Sequence, residues 1–353
     1  MEFLLDYGLF LAKIVTVVVA LVAIIIIVKS VGGRSGAAKG ELEITDLTEQ
    51  HKQTVEQLEH YLHDDAFLKA RNKAEKKSDK EKNKAREKEI KKAAKEGELE
   101  SKREAHLFVL DFNGSIDAKE VASLREEVTA ILAVAHEGDE VLLRLESGGG
   151  MVHGYGLASS QLDRLKSASL PLTISVDKVA ASGGYMMACI ADKIVSAPFA
   201  IVGSIGVIAQ LPNFNKVLKK YDIEYEQLTA GEYKRTLTMF GENTDKAREK
   251  FKEELEETHV LFKDFIRDHR PDLDLEKVAT GEHWFGTQAL NLGLVDEIKT
   301  SDDIVVDACK DKTVLAIHYV EKKKITSKLA ALMGEAADNV LMKLIDRGQR
   351  PIV

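Results

Sequence analysis

A long apolar run near the N-terminus limits what the first part of this chain can become. Between Leu9 and Val28 the only charged residue is Lys13, and aliphatic side chains fill most positions. About 20 apolar residues in a helix span a hydrocarbon core roughly 30 Å thick, and a lysine near the end can extend its amine to the headgroups. The run is long for the core of a cleaved signal peptide, and no clear cleavage site follows it. The sequence therefore predicts an uncleaved membrane anchor over residues 1–30.

The charges beside the predicted anchor do not fix its orientation. Lys29, Arg34 and Lys39 follow the apolar run, whereas Lys13, near its N-terminal end, is the only basic residue on the other side. The positive-inside bias alone would place the following domain in the cytoplasm, but this bias is weak when a long domain follows the helix. Both orientations are compatible with the sequence.

A strongly basic segment follows the anchor. From Lys69 to Lys95 there are 13 Lys or Arg residues against 5 Asp or Glu residues, whereas the whole chain has a net charge of −8. Such a segment can contact anionic lipids or nucleic acid. It contains no aromatic residue that could stack on bases, so a solvated helix or a disordered spacer is favoured and no nucleic-acid partner is expected. Residues 31–104 are therefore predicted to form a charged linker, helical or disordered.

From His106 onward, short apolar runs alternate with amphipathic segments, which is typical of an α/β fold with largely parallel strands. This pattern predicts a folded domain over residues 105–320. Strands are predicted at residues 107–112, 141–145, 172–176, 193–196 and 206–209. Helices are predicted at residues 118–136, 151–165, 182–191 and 244–270. The tail, residues 321–353, predicts an amphipathic helix that faces the core or another copy of the chain.

Cysteine and metal-ligand patterns exclude some classes of protein. Cys189 and Cys309 are too few for a disulfide framework or a cysteine zinc site, and we expect them to be buried thiols. No cluster of His, Cys, Asp and Glu has the spacing of metal ligands, which disfavours a metalloprotease. We expect neither a metal nor another cofactor.

A glycine turn, Ser147-Gly148-Gly149-Gly150, follows one predicted strand and precedes a helix. Consecutive glycines allow positive φ angles and close approach of the backbone. The N–H groups of such a turn can bind an oxygen that becomes negatively charged during a reaction. A tight turn or a phosphate cradle would look the same, although no Gly-Lys-Ser/Thr follows as in a Walker motif.

Ser182 lies in Ala181-Ser182-Gly183-Gly184-Tyr185, where a predicted strand gives way to a helix. A serine among small residues at this position can expose its hydroxyl as a nucleophile, but it can also be a simple helix N-cap. The segment departs from the Gly-x-Ser-x-Gly elbow of α/β-hydrolases because Ala180 replaces the first glycine. The local pattern leaves both interpretations of Ser182 open. Local pattern also does not distinguish Lys234, which lies in Tyr233-Lys234, from the other lysines of the chain.

The order of several motifs resembles that of the signal peptide peptidase A family. The glycine turn and the Ser182 segment are followed by residues 202–207 (Val-Gly-Ser-Ile-Gly-Val), by Tyr233-Lys234 and by residues 292–296 (Leu-Gly-Leu-Val-Asp). The resemblance covers residues 1 to 350, and the motifs agree in both order and spacing. It implies a crotonase- or ClpP-like fold of repeated β-β-α units.

The resemblance also implies a Ser/Lys dyad, with Ser182 as nucleophile and Lys234 as general base. It implies an oxyanion hole formed by Gly150 and Gly183, with Gly149 as a near alternative. The hydroxyl of Ser204 matches a position that orients the lysine. The chain departs from the family in one respect, because the glycine turn often reads Ser-Pro-Gly-Gly there. Losing proline removes a fixed φ angle and loosens the turn.

A lysine acts as a base only when it is neutral, and its ordinary pKa is about 10.4. Burial in an apolar site lowers that pKa, so Lys234 must be substantially buried near Ser182 in the assembled enzyme. A Ser–His–Asp triad is the competing mechanism, with His153 or His283 as the base.

The resemblance implies a serine endopeptidase anchored in a bacterial inner membrane, with its catalytic domain in the periplasm despite the basic residues after the anchor. Its expected substrates are peptides or unfolded chains, including signal-peptide remnants. Family relatives form rings or domes, so we also expect a homo-oligomer. A catalytically silent scaffold and an acyl-CoA-processing enzyme on the same fold are the alternatives.

Overall fold

A computed structural model gives the structure of residues 40–96 and 104–321, together with the isolated positions Lys13 and Thr16. Leu42–Val320 forms one compact unit that contains nearly all of these residues. The regular elements, in chain order, are β1 (Glu41–Asp46), α1 (Leu47–Leu62), α2 (Asp65–Glu96), β2 (His106–Asn113), α3 (Val121–Val134), β3 (Glu140–Glu146), α4 (Val152–Ser167), β4 (Leu172–Val176), β5 (Val179–Ala181), α5 (Gly183–Ala188), β6 (Lys193–Ser196), β7 (Ile201–Gly203), α6 (Asn215–Lys220), α7 (Asp245–His269), α8 (Leu275–Val278), β8 (His283–Phe285), α9 (Gly286–Asn291), β9 (Glu297–Ile298), α10 (Ser301–Ala308) and β10 (Thr313–Val320).

The two terminal predictions fall on parts of the chain that this structure does not describe. Apart from Lys13 and Thr16, the anchor predicted over residues 1–30 lies outside the described residues, as does the tail helix predicted within 321–353 apart from Glu321. Among the described residues, no helix combines the length and apolar character needed to span a membrane. Both terminal helices therefore stay predictions from sequence.

The main sheet has seven strands in the order β1-β10-β2-β3-β4-β6-β9, and all neighbours from β10 to β9 pair in parallel. The connections between consecutive parallel strands run through helices, as parallel crossovers require. A smaller sheet contains β5, β7 and β8, with one parallel and one antiparallel pair. The predicted α/β class with largely parallel strands is therefore confirmed.

Strand β2 shows how the sequence builds the core on both faces of the main sheet. Side chains alternate along a strand, so neighbouring residues face opposite sides. Leu110 and Phe112 belong to the large core that also contains the apolar faces of α3, α4 and α5. Leu107 and Val109 belong to a smaller cluster on the other side, which α10 partly covers. Burial on both faces explains why this strand is an almost continuous apolar run.

The strands predicted at residues 172–176 and 193–196 have the predicted bounds in β4 and β6. The strand predicted at residues 206–209 is wrong, because this segment has no regular structure and the neighbouring strand is β7. Gly203 and Ser204 have φ angles of 102° and 51°. Two successive left-handed residues turn the chain away from the small sheet, and the apolar run therefore continues outside it.

The charged segment before the α/β domain is regular over most of its described length. Strand β1 forms one edge of the main sheet, next to β10. Helix α1 begins where Asp46 accepts a hydrogen bond from the Glu49 N–H (2.9 Å), which is a standard N-cap. Helix α2 contains the basic residues 69–95. Of the two forms predicted for the linker, most of residues 47–96 adopt the helical one, whereas residues 41–46 form a sheet strand that neither form predicted.

A buried carboxyl group connects α3 to the end of β10. Glu127 is only 4% exposed, and its side chain accepts a hydrogen bond from the Tyr319 N–H (2.8 Å). Burial raises the pKa of Glu127 to about 7, and the nearby charge of Asp111 adds to this effect. The folded chain therefore holds a proton at Glu127 that the unfolded chain releases near pH 4.5.

Stability should therefore fall as the pH rises from about 4.5 to about 7, because the folded state binds more protons in this window. Glu127→Gln keeps an acceptor oxygen and removes the charge. We expect it to raise the free energy of unfolding by about 3 kcal/mol at pH 8 and to change it little at pH 4. Denaturant unfolding of the full-length chain measures both values. Glu126→Gln, at an exposed position of the same helix, is the control; equal effects of Glu127→Gln at the two pH values would contradict this account.

Candidate active site

Ser182 lies in a sharp turn between β5 and α5. Its φ of 53° and ψ of −117° form a left-handed conformation that residues with side chains rarely adopt. The Ser182 N–H donates a hydrogen bond to the Gly203 carbonyl oxygen (2.8 Å), which ties the turn to β7. Ser182 precedes the first helical residue, but its side chain caps no N–H of α5. The simple N-cap interpretation therefore lacks its hydrogen bond.

The glycine turn after β3 lies directly against the serine turn. Gly149 has a φ of 85°, and a methyl group on its Cα would lie 2.7 Å from the Gly183 nitrogen. A methyl group on Gly150 would lie 2.0 Å from the Ile116 carbonyl oxygen. Both positions require glycine, because any side chain would force the backbone segments apart.

The three glycines predicted for an oxyanion hole differ in their hydrogen bonds. The Gly149 N–H donates to the Ser147 hydroxyl (3.1 Å), so it is already used within the turn. The N–H groups of Gly150 and Gly183 donate to no acceptor within the described parts of the chain. Donors that are not satisfied internally can bind an oxygen whose charge develops beside Ser182. The geometry therefore favours Gly150 and Gly183 over Gly149.

An apolar cavity of about 260 Å³ opens beside Ser182. Its walls come from α4, α5, α7 and the chain that follows β7. The larger apolar side chains that line it are Val152, Met186, Val207, Ile208, Leu261, Phe262 and Phe265. A mostly apolar cavity with a nucleophile at its edge is suited to hold an apolar side chain of a substrate.

A second cavity beside Ser182, of about 690 Å³, is more polar. The glycine turn and Ser204 line one part of it, and Lys252, Glu256 and His259 of α7 line another. These α7 residues share one helical face. These residues were not predicted from the sequence as part of the site. Their spacing places them on one face of a helix but does not show that this face lines the cavity beside Ser182.

Lys234 does not line either cavity beside Ser182. It is exposed and lines a separate cavity of about 710 Å³, together with Tyr225, Leu228 and Phe240. The segment that carries it runs from β7 to α7 and contains only the short helix α6 among its described residues. One chain by itself therefore does not bring Lys234 and Ser182 into the same cavity.

The remaining predicted side chains are divided in the same way. Ser204 lines the polar cavity with Ser182, whereas Lys234, the side chain that Ser204 is predicted to orient, does not line it. His153 and His283, the candidate bases of a triad, are exposed and line neither cavity. His259, which lines the polar cavity, has a buried Nε2 atom without a hydrogen-bond partner in the described chain. Among the same residues, no group of three or more His, Cys, Asp or Glu side chains could hold a metal ion.

Two family models match consecutive parts of the sequence. Residues 2–162 match the N-terminal model of peptidase family S49, and residues 164–315 match the model of peptidase family S49 itself. The second match contains Ser182 and Lys234, and the first contains the glycine turn.

Curated relatives match over nearly the whole chain. The probable protease SohB of Haemophilus influenzae is 51% identical over 349 residues, which cover 99% of this chain and 98% of the relative. The probable protease SohB of Buchnera aphidicola from Acyrthosiphon pisum is 53% identical over 345 residues, which cover 98% of both chains. Protease 4 of Haemophilus influenzae is 28% identical over 185 residues, or 51% of this chain and 30% of that protein. The chain belongs to peptidase family S49 and is a protease.

Proposed function

We propose that the chain is a serine endopeptidase in which Ser182 is the nucleophile. The observation that carries this proposal is the strained turn at Ser182, which adjoins the glycine turn. The Ser182 side chain makes no capping hydrogen bond to the helix that follows. Strained backbone persists at functional sites because it holds a reactive group in place. The cavities beside Ser182 leave room for a substrate.

The proposed reaction uses the Ser182 hydroxyl and two backbone N–H donors that the fold holds close together, and it requires a base beside them. The Ser182 Oγ attacks the peptide carbonyl carbon while a base takes its proton, and the carbonyl oxygen becomes an oxyanion. The Gly150 and Gly183 N–H groups donate to that oxygen. Collapse of the intermediate breaks the C–N bond, and the protonated base returns its proton to the leaving amine. Water then hydrolyses the Ser182 ester by the same steps.

We propose Lys234 as the base, on the strength of its place in the family motif. Its ammonium must lose its proton before it can act, and an apolar, dry environment favours that loss. Lys234 is exposed in the single chain, so its segment must meet Ser182 either by rearranging or by contact with a second copy. Lys252 is the alternative, because it already lines the polar cavity of its own chain.

Alanine variants separate the two lysines. We expect Ser182→Ala and Lys234→Ala each to lower hydrolysis of an unfolded protein at least 10³-fold, because each removes a group that takes part in every bond-breaking step. Lys216→Ala, at another exposed lysine in the same segment, is the matched control. Rates of purified full-length variants in mild detergent measure the effect. Full activity in Lys234→Ala together with a loss in Lys252→Ala would transfer the role to Lys252.

The same two inactive variants test the proposed homo-oligomer. If one copy supplies Lys234 to the Ser182 of another, co-expressed Ser182→Ala and Lys234→Ala chains form some complete sites and regain activity. If each chain completes its own site, every mixed assembly stays inactive. Light scattering of the wild-type chain gives the size of the assembly, and a monomer would contradict the homo-oligomer.

The substrate we propose is an extended, apolar peptide, such as a signal-peptide remnant or an unfolded chain. The apolar cavity beside Ser182 supports this, since it would hold the side chain that precedes the cleaved bond. Leu261 lines the cavity although it is 69% exposed, so its substitution should spare the core.

Peptides that differ only in the residue before the cleaved bond test this preference. We expect leucine to exceed lysine at that position by at least tenfold in kcat/KM. Leu261→Glu should reduce this ratio by adding a carboxylate to the wall, whereas Val260→Glu, which is exposed on the same helix and lies outside the cavity, should not. Equal ratios in all three proteins would contradict the assignment of the cavity.

We propose that an N-terminal helix anchors the enzyme in a bacterial inner membrane, with the catalytic unit on the periplasmic side. The apolar run of residues 9–28 supports the anchor, and the family motif supports the periplasmic side. The basic residues that follow the run favour the opposite orientation by the positive-inside bias. An enzyme reporter fused after Val353 tests the side. We expect activity from a reporter that works only outside the cytoplasm, and activity from a cytoplasmic reporter would contradict the orientation.

A further inference from the structure

A buried tyrosine lies between the two halves of the proposed oxyanion site. Tyr155 of α4 is completely buried, and its pKa is raised by that burial, so its hydroxyl keeps its proton at neutral pH. A methyl group on Gly183 would lie 2.5 Å from the Cγ of Tyr155. The ring therefore supports the backbone at one of the two proposed N–H donors.

The hydroxyl end of Tyr155 reaches the other half of the site. Its oxygen lies 2.5 Å from the Ser147 Oγ and 2.9 Å from the Ser115 carbonyl oxygen. The Ser147 Oγ in turn accepts the Gly149 N–H (3.1 Å). Four groups thus form a continuous chain from the glycine turn to the loop that follows β2.

The donor and acceptor roles in this series of hydrogen bonds follow from the number of hydrogen atoms that each group carries. A carbonyl oxygen can only accept, so the single hydroxyl hydrogen of Tyr155 goes to Ser115. The Ser147 hydroxyl must then donate to the Tyr155 oxygen and accept from Gly149. Every donor has one acceptor, and hydrogen bonds aligned in one direction strengthen one another.

This series of hydrogen bonds fixes the part of the glycine turn that precedes Gly150. Fixing the Gly149 N–H on Ser147 fixes the peptide plane before Gly149, and Gly149 itself has a φ of 85°. Gly150 is confined on its other side, because its Cα packs against the Ile116 carbonyl oxygen. The Met151 N–H donates to the same Ile116 oxygen (2.8 Å), so the turn is held at both ends.

We propose that Tyr155 is a positioning residue for the oxyanion site, with its ring holding Gly183 and its hydroxyl holding the Gly150 turn through Ser147. This inference rests on the proposed function, because it assumes that Gly150 and Gly183 bind the oxyanion. Tyr155 touches neither substrate nor reacting atoms in this scheme. Removing its hydroxyl should loosen one donor and leave the nucleophile and the substrate cavities intact.

Tyr155→Phe tests the role of the hydroxyl in the full-length enzyme. We expect kcat to fall about tenfold with little change in KM, because a misplaced donor weakens only the transition state. Affinity for a peptide boronate, whose tetrahedral adduct places an oxygen at the same donors, should fall by the same factor. Ser147→Ala should show both losses, and the double variant should be no worse than Ser147→Ala, because the two hydroxyls act in series.

Tyr185→Phe is the matched control, since Tyr185 is equally buried and its hydroxyl also donates to a main-chain carbonyl, that of Leu294 (3.0 Å). We expect it to lower thermal stability about as much as Tyr155→Phe while keeping kcat and boronate affinity. Unchanged kcat in Tyr155→Phe, or equal losses in both variants, would overturn the positioning role. Failure of a fluorophosphonate to label Ser182 in the wild-type enzyme would instead overturn the proposed function, and the inference with it.

Discussion

The backbone of Ser147 joins the two turns on which the site is built. Its N–H donates to the Val179 carbonyl oxygen (2.8 Å), and its own carbonyl accepts the Ala181 N–H (3.0 Å). The end of β3 is therefore paired with β5 immediately before Ser182, across the boundary between the two sheets. The glycine turn and the serine turn are held together as one piece of backbone, with no room for a side chain where they touch. The positions of the proposed oxyanion donors depend on this pairing.

The strained conformation of Ser182 needs support, since a non-glycine residue in such a region costs about 1–3 kcal/mol. That support comes from several directions. All six residues of α5 are buried, so the surrounding core holds this helix in place. The Gly203 carbonyl oxygen holds the Ser182 N–H from the small sheet. A packed core thus offsets local strain and fixes the direction of the serine.

Much of the fold could be predicted from sequence, because β4, β6 and most of the helices follow from local patterns. The apolar run at residues 206–209 misled that reasoning, since the left-handed turn at Gly203 and Ser204 has no local signature. Ser182 and the glycine turn could be located by motif. Tyr155 and the face of α7 could not, because their approach to Ser182 is a property of tertiary packing. Whether Lys234 lies near Ser182 could not be predicted from local sequence either, because it depends on the position of the exposed segment between β7 and α7.

Helix α7 connects the two cavities beside Ser182, because it contributes side chains to both. Ile266 and Phe262 bury it in the core, while the same helix forms a wall of both the apolar and the polar cavity. A helix is stiff along its axis, so a shift that widens one cavity also reshapes the other. In the proposed function, recognition of a substrate side chain in the apolar cavity is therefore coupled through α7 to the polar surroundings of Ser182. A substitution at Ile266, which is buried and lines neither cavity, can therefore alter selectivity and rate together.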